Sequence, residues 1–207
     1  MKRSTITLLA FVVLTLFFAS QNGCSGTGQA NVANSNNANT TGQNASGSPT
    51  SSTDYPALAS GLADADFELI DGTKFKISDK KGKVLLLNLW GTWCGPCRAE
   101  MPSLIALQDQ YRDKGLEIIG LNVGDGDGGL ETNDQITKFI AEMKLNYTIA
   151  RSLGPTTREF NNVTNGRSVV PQSILVDRQG RLRGVFVGGG PKIILLIQDT
   201  MAKVMSE

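Results

Sequence analysis

The run Val84-Leu85-Leu86-Leu87-Asn88-Leu89-Trp90 leads almost directly into Cys94-Gly95-Pro96-Cys97, and that junction limits what this chain can fold into. A stretch so apolar, with no polar alternation, predicts a central strand covered on both faces. Behind it, residues 96–114 carry Leu104, Ile105, Leu107 and Tyr111 at helical spacing, with Pro102 inside and expected to bend the helix. The strand would deliver Cys94 to the sheet edge. The helix would hold Cys97 one turn inside, and its unpaired N–H groups and positive end favour a thiolate at Cys94. Thiolates attack disulfides, so the pair reads as redox-active.

Two cysteines at this spacing also form half of a zinc site or a structural clip. With 3 cysteines and 0 histidines, a closed zinc tetrahedron would need Cys24 and a carboxylate as well. A purely structural bridge gains little from so short a loop, because its stabilisation grows with loop length. Redox chemistry is therefore the favoured reading, with no metal and no cofactor expected beyond the Cys94–Cys97 disulfide itself.

The rest of the chain alternates strand and helix signals. Phe67 and Leu69, the Asp71-Gly72 turn, then Phe75 and Ile77 predict a β-hairpin. Residues 116–123 read as a second buried strand. The glycine-rich stretch 124–129 reads as a plain surface loop, since Leu130 stands where a calcium loop needs glycine and no Glu follows at the proper distance. Thr132 or Asn133 can cap a helix whose face is Ile136, Phe139, Ile140 and Met143. A short strand at 147–150, one or two helical turns at 155–160 and a polar loop at 161–168 follow. A strand at 173–176, a turn at 177–180 and an antiparallel return at Leu182–Val187 then lead to glycines 188–190. Pro191 opens a last helix with Ile194, Leu195, Ile197 and Met201 on its face.

At 207 residues the chain has room for one domain plus extra segments. Met1-Lys2-Arg3 and the apolar stretch 6–19 match the charged and hydrophobic regions of an export signal. Gly23-Cys24-Ser25 then sets a small residue before a cysteine, as bacterial lipoprotein processing requires, although Gln21 stands where an aliphatic residue is usual. The expected organisation is a signal peptide at 1–23, a lipidated Cys24 with an Asn/Ser/Gly/Thr-rich tether to residue 61, and one domain over 62–207. Retention of the apolar stretch as a short anchor, or cleavage near Ala19 that leaves Cys24 as a spare thiol, are the alternatives. Each places the domain outside the cytosol, and a lipidated Cys24 would leave only the motif pair free for chemistry. With 20 basic and 19 acidic side chains, the net charge of +1 gives no electrostatic case for nucleic acid or anionic lipid as partner.

The order of these elements resembles the thioredoxin fold: an α/β domain with a central mixed sheet flanked by helices, here with an N-terminal hairpin. The wording from Asn88 through Trp93-Cys94-Gly95-Pro96-Cys97 to Glu100 and Pro102 is similar to the TlpA/ResA branch of exported thiol oxidoreductases. Val170-Pro171-Gln172-Ser173 and the later Val176-Asp177-Arg178-Gln179-Gly180 resemble that branch's second landmark. This resemblance implies that Cys94 attacks, Cys97 resolves, and the Val170–Pro171 bond is cis and presents Val170 to an extended substrate. It further implies that Trp93, Gly95 and Pro96 border the substrate. Thioredoxin itself carries a buried Asp where Asn88 stands, and Glu100 is the candidate substitute for its proton transfer; the alternative is an idle first-turn Glu. Two departures mark the substrate side: the stretch from Val163 to Pro171 is longer than is usual in the branch, and Gln172 replaces a threonine.

The implied activity is reduction of protein disulfides, with cytochrome c maturation as the family-level task and a membrane protein as electron donor to a monomeric domain. An oxidase or isomerase on the same fold, a peroxiredoxin-like peroxidase, and a surface lipoprotein that only binds a partner are the competing readings.

Overall fold

The computed structural model describes residues 55–207; the signal stretch, Cys24 and most of the expected tether lie outside the described residues. Seven strands form one mixed sheet: β1 (Phe67–Leu69), β2 (Lys74–Phe75), β3 (Val84–Trp90), β4 (Leu116–Asn122), β5 (Thr148–Arg151), β6 (Gln172–Val176) and β7 (Leu182–Val187). Their spatial order is β2-β1-β5-β4-β3-β6-β7. β3 pairs parallel with β4 and antiparallel with β6, and every residue of β3 is buried, as its run of apolar residues around the single Asn88 predicts.

Alternate residues of β3 serve opposite faces. Val84, Leu86 and Trp90 join Met101 and Leu104 of α2 (Gly95–Tyr111), Ile136 and Phe139 of α3 (Asn133–Met143), and Ile197 and Met201 of α5 (Pro191–Ser206). Leu85, Leu87 and Leu89 pack on the other face with Leu62 of α1 (Ser60–Ala63) and Phe160 of α4 (Gly154–Val163). Each fully buried side chain of this size contributes about 1.5–3 kcal/mol, which is how so short a strand becomes the anchor of both layers.

Several local expectations need correction. The packed unit begins ahead of Leu62: Leu58 is buried, its N–H donates to the Gly180 carbonyl at 2.9 Å, and Ala57 bridges to Arg181. The hairpin forms with Phe67 opposite Phe75, but Ile77 starts a 3-10 turn rather than extending the return strand. The helix expected to close near Phe160 continues to Val163, with its end marked by a Gly166 N–H bond to the Asn161 carbonyl. Leu195 is 59% exposed, because the buried stripe of α5 runs through Ile197, Met201 and Val204 and leaves Leu195 on the outer side. The helix α2, by contrast, runs through Pro102 to Tyr111 as expected and passes into a 3-10 turn at Arg112–Lys114.

Candidate active site

Cys94 is the N-cap of α2. Its Sγ accepts a hydrogen bond from the Cys97 N–H at 3.2 Å, and its carbonyl accepts from the Arg98 N–H at 3.1 Å. The sulfur thus occupies the position where a capping oxygen usually satisfies an orphan donor, and a thiolate there is favoured by the same N–H groups. Pro96 fits the first turn because its missing N–H is one the helix would leave unpaired anyway. Cys94 and Cys97 are joined as a disulfide; Cys94 is 4% exposed and Cys97 is fully buried, while Gly95 and Pro96 are exposed.

Beneath the pair lies a buried polar cluster. Glu100 shares the buried face of α2 with Cys97, and its Oε1 accepts from the Asn88 amide at 2.7 Å. The same amide donates to the Ser173 hydroxyl at 3.1 Å. Burial pushes the Glu100 carboxyl up to about 7, against the opposing effect of the Asn88 hydrogen bond. Burial, and then the charge of Glu100, push the Tyr147 hydroxyl upward as well. Gly120 lies opposite Asn88 on β4, and a Cβ there would meet Trp90 Nε1 at 2.9 Å and the Tyr147 ring at 3.2 Å, so the missing side chain makes room for both rings. Trp90, expected as core, is fully buried and stacks on Phe139.

The second landmark meets the first. The Val170–Pro171 bond is cis, as the resemblance implied. A Cβ on Gly189 would sit 3.1 Å from Pro96 Cβ and 3.3 Å from Pro171 Cγ, so this glycine is wedged where the two prolines converge. Trp93 is 50% exposed and its Nε1 donates to the Gly124 carbonyl at 2.7 Å. Gly126 lies against the same indole, since a Cβ there would come within 3.0 Å of it. The glycine loop read as plain surface is therefore the seat of Trp93. A groove of about 510 Å³ lies beside this pair, lined by Trp93, Gly126, Gly128, Asn161, Val169 and Val170 among others.

Glu131 carries no motif signal in the sequence, yet it supports this site. It is 3% exposed and accepts from the Thr92 N–H at 3.2 Å, the Thr92 hydroxyl at 2.5 Å and the Asn122 amide at 2.7 Å. It thereby ties the Gly91–Trp93 approach to the end of β4. Arg151 secures the Glu131 carbonyl in turn, at 2.8 Å. Among the described residues, no cluster of three or more His, Cys, Asp or Glu is placed to hold a metal.

The redoxin family model matches residues 54–199, which takes in every element from α1 to the first half of α5. The chain belongs to the redoxin family. Among its relatives, the thiol-disulfide oxidoreductase ResA of Bacillus thuringiensis strain Al Hakam is 35% identical over 119 residues, 58% of this chain and 63% of that protein. ResA of Geobacillus kaustophilus is 33% identical over 138 residues, 66% of this redoxin and 74% of the relative. The chain thus spans somewhat under two thirds of the first of these proteins. The structure of a thiol:disulfide interchange protein, a thioredoxin family protein from Chlorobium tepidum, superposes with a TM-score of 0.57 at 24% identity, covering 68% of this redoxin and 92% of that chain. That likeness shows the thioredoxin-like fold.

Proposed function

We propose that this redoxin is a thiol–disulfide oxidoreductase that reduces disulfides of exported proteins through Cys94 and Cys97. The observation that carries the reading is the Glu100 carboxyl: buried on the face of α2 it shares with Cys97, held by Asn88, and pushed up to about 7 by that burial. The Cys94 thiolate attacks one sulfur of the substrate disulfide, and the other leaves as a thiolate and takes a proton. Cys97 then gives its proton to the Glu100 carboxylate and attacks Cys94 Sγ, which expels the second substrate sulfur. Two electrons pass to the substrate and the Cys94–Cys97 disulfide forms. A dithiol donor, on this reading a membrane protein, returns it to the reduced state.

Val170 supplies the orientation. Among the described residues neither its N–H nor its carbonyl has a hydrogen-bond partner, so both are free to pair with an extended substrate segment beside Gly95 and Pro96. The Gly95-Pro96 dipeptide, similar to that of reducing members of the fold, supports the reducing direction, and the relatives named thiol-disulfide oxidoreductase support the activity. Cytochrome c precursors are the substrate class we favour. Export and attachment through a lipidated Cys24 rest on the charged and apolar N-terminal pattern and on Gly23-Cys24. Among the described residues no helix is long and apolar enough to cross a membrane.

Capture of mixed disulfides by the Cys97→Ser variant tests the proposal. Exported cysteine proteins should accumulate in covalent complex with Cys94, and the Cys94/Cys97 midpoint should lie at the reducing end of the known range. Failure to trap any protein where a control oxidoreductase succeeds would reject the activity. A strongly oxidising midpoint would reverse its direction.

A further inference from the structure

Gln172 stands immediately after Pro171, and its side chain is turned back under the segment that precedes the proline. It is 1% exposed, and its single Nε2 lies 2.6 Å from the Val169 carbonyl, 3.0 Å from the Arg167 carbonyl and 3.4 Å from the Asn161 Oδ1. The orientation is fixed by those neighbours, since a flipped amide would set its oxygen against two carbonyl oxygens. An amide nitrogen has two hydrogens and sits at the end of a longer side chain. A threonine hydroxyl has one hydrogen and shorter reach, and cannot hold Val169 and Arg167 together.

What is held is one wall of the groove beside the reactive pair. Asn161, Ser168, Val169 and Val170 line it on one side, Trp93 and the glycine loop on the other. Val169 is 51% exposed and Trp93 50%, an unusual placing for large apolar side chains flanking a buried disulfide. The unpartnered Val170 backbone borders this groove, so an extended chain paired there would run along it.

We propose that Gln172 is a positioning residue for substrate selection: by pinning Arg167 and Val169 it shapes a groove that accepts an apolar side chain flanking the reactive cysteine of a polypeptide substrate. The inference rests on the oxidoreductase reading above and adds to it the class of sequence preferred.

Two synthetic peptides test this, each with one cysteine linked as a mixed disulfide to a chromogenic aryl thiol and flanked either by leucine and phenylalanine or by serine and glycine. The reduced full-length protein should favour the apolar peptide by about fivefold or more in kcat/KM, chiefly through KM. Gln172→Met, which fills the same space without the donors, should bring that preference to within about twofold by raising KM for the apolar peptide. Its Cys94–Cys97 midpoint and the pH profile of Cys94 alkylation should superimpose on those of the unaltered protein. Val169→Ser, at an exposed position that leaves folding intact, should also weaken the preference.

Retention of the full preference in both variants would overturn the inference. So would a Gln172→Met effect that is equal for the two peptides and accompanied by a shifted midpoint, which would mark a merely structural role. An unaltered protein that reduces both peptides equally would defeat this inference alone, whereas one that reduces neither would defeat the oxidoreductase reading beneath it.

Discussion

Replacing Glu100 by glutamine should alter the pH dependence of stability by an amount that can be worked out in advance. The carboxyl has an ordinary value of 4.5 and is pushed up to about 7 by burial. The folded protein therefore holds a proton that the unfolded chain has released, and stability falls as pH rises between those two values. At about 1.4 kcal/mol per pH unit, that interval amounts to about 3 kcal/mol. Below pH 4.5 the group is neutral in both states, and above 7 it is charged in both, so the difference is flat outside the window. A carboxamide at this position would keep an oxygen for the Asn88 amide and matches the shape of the neutral acid. The Glu100→Gln variant should consequently equal the unaltered protein at pH 4.5 and exceed it by up to about 3 kcal/mol at pH 8. Urea unfolding of both oxidised proteins from pH 4.5 to 8 measures this, and subtracting the curves removes every other titrating group. Parallel curves would refute the assignment of a buried, proton-holding Glu100. A gap that opened toward acid pH would reverse its sign.

Three further substitutions have defined outcomes. Gly189→Ala introduces a methyl 3.1 Å from Pro96 and 3.3 Å from Pro171, and should slow reduction of a protein disulfide about tenfold, read by a turbidity assay on insulin. Glu131→Ala strands donors on Thr92 and Asn122 and should lower stability by about 2–4 kcal/mol in urea unfolding. Gly126→Val combines a φ of 87° with contact against the Trp93 ring, and should change the exposed indole's fluorescence while leaving the buried Trp90 as an internal reference.

The parts of this fold that can be read in advance are those with a local cause. β3 announces itself because seven adjoining positions are buried on both faces, and the Cys94 cap because its partner donor is three residues away. Glu131 is illegible for the opposite reason. A single acid beside a glycine-rich loop has no pattern, and its partners at Thr92 and Asn122 become neighbours only when β3 and β4 pair. The loop before it is exposed from Asp125 to Leu130, as expected, yet its glycines give no sign in the sequence that the Trp93 ring packs against Gly126. Gln172 stands out in the sequence as a departure, but its three acceptors are set by the backbone path of 161–169, which composition does not reveal. Leu195 misleads because the apolar residues of its helix are too many for the buried stripe, so periodicity alone does not say which of them face inward.

The first described stretch of the chain has a part to play at both margins of the sheet. Pro56 accepts from the Leu182 N–H and Ala57 bridges to Arg181, so the chain lies along the start of β7; after α1 it reappears at the far side, where Phe67–Leu69 and the two-residue β2 finish the sheet. One continuous segment thus contributes to both margins of the sheet, covering the start of β7 and forming the short strand β2 at the other edge. Trimming it should expose the start of β7 and the side of β5 together, leaving two sheet margins able to pair with a second copy.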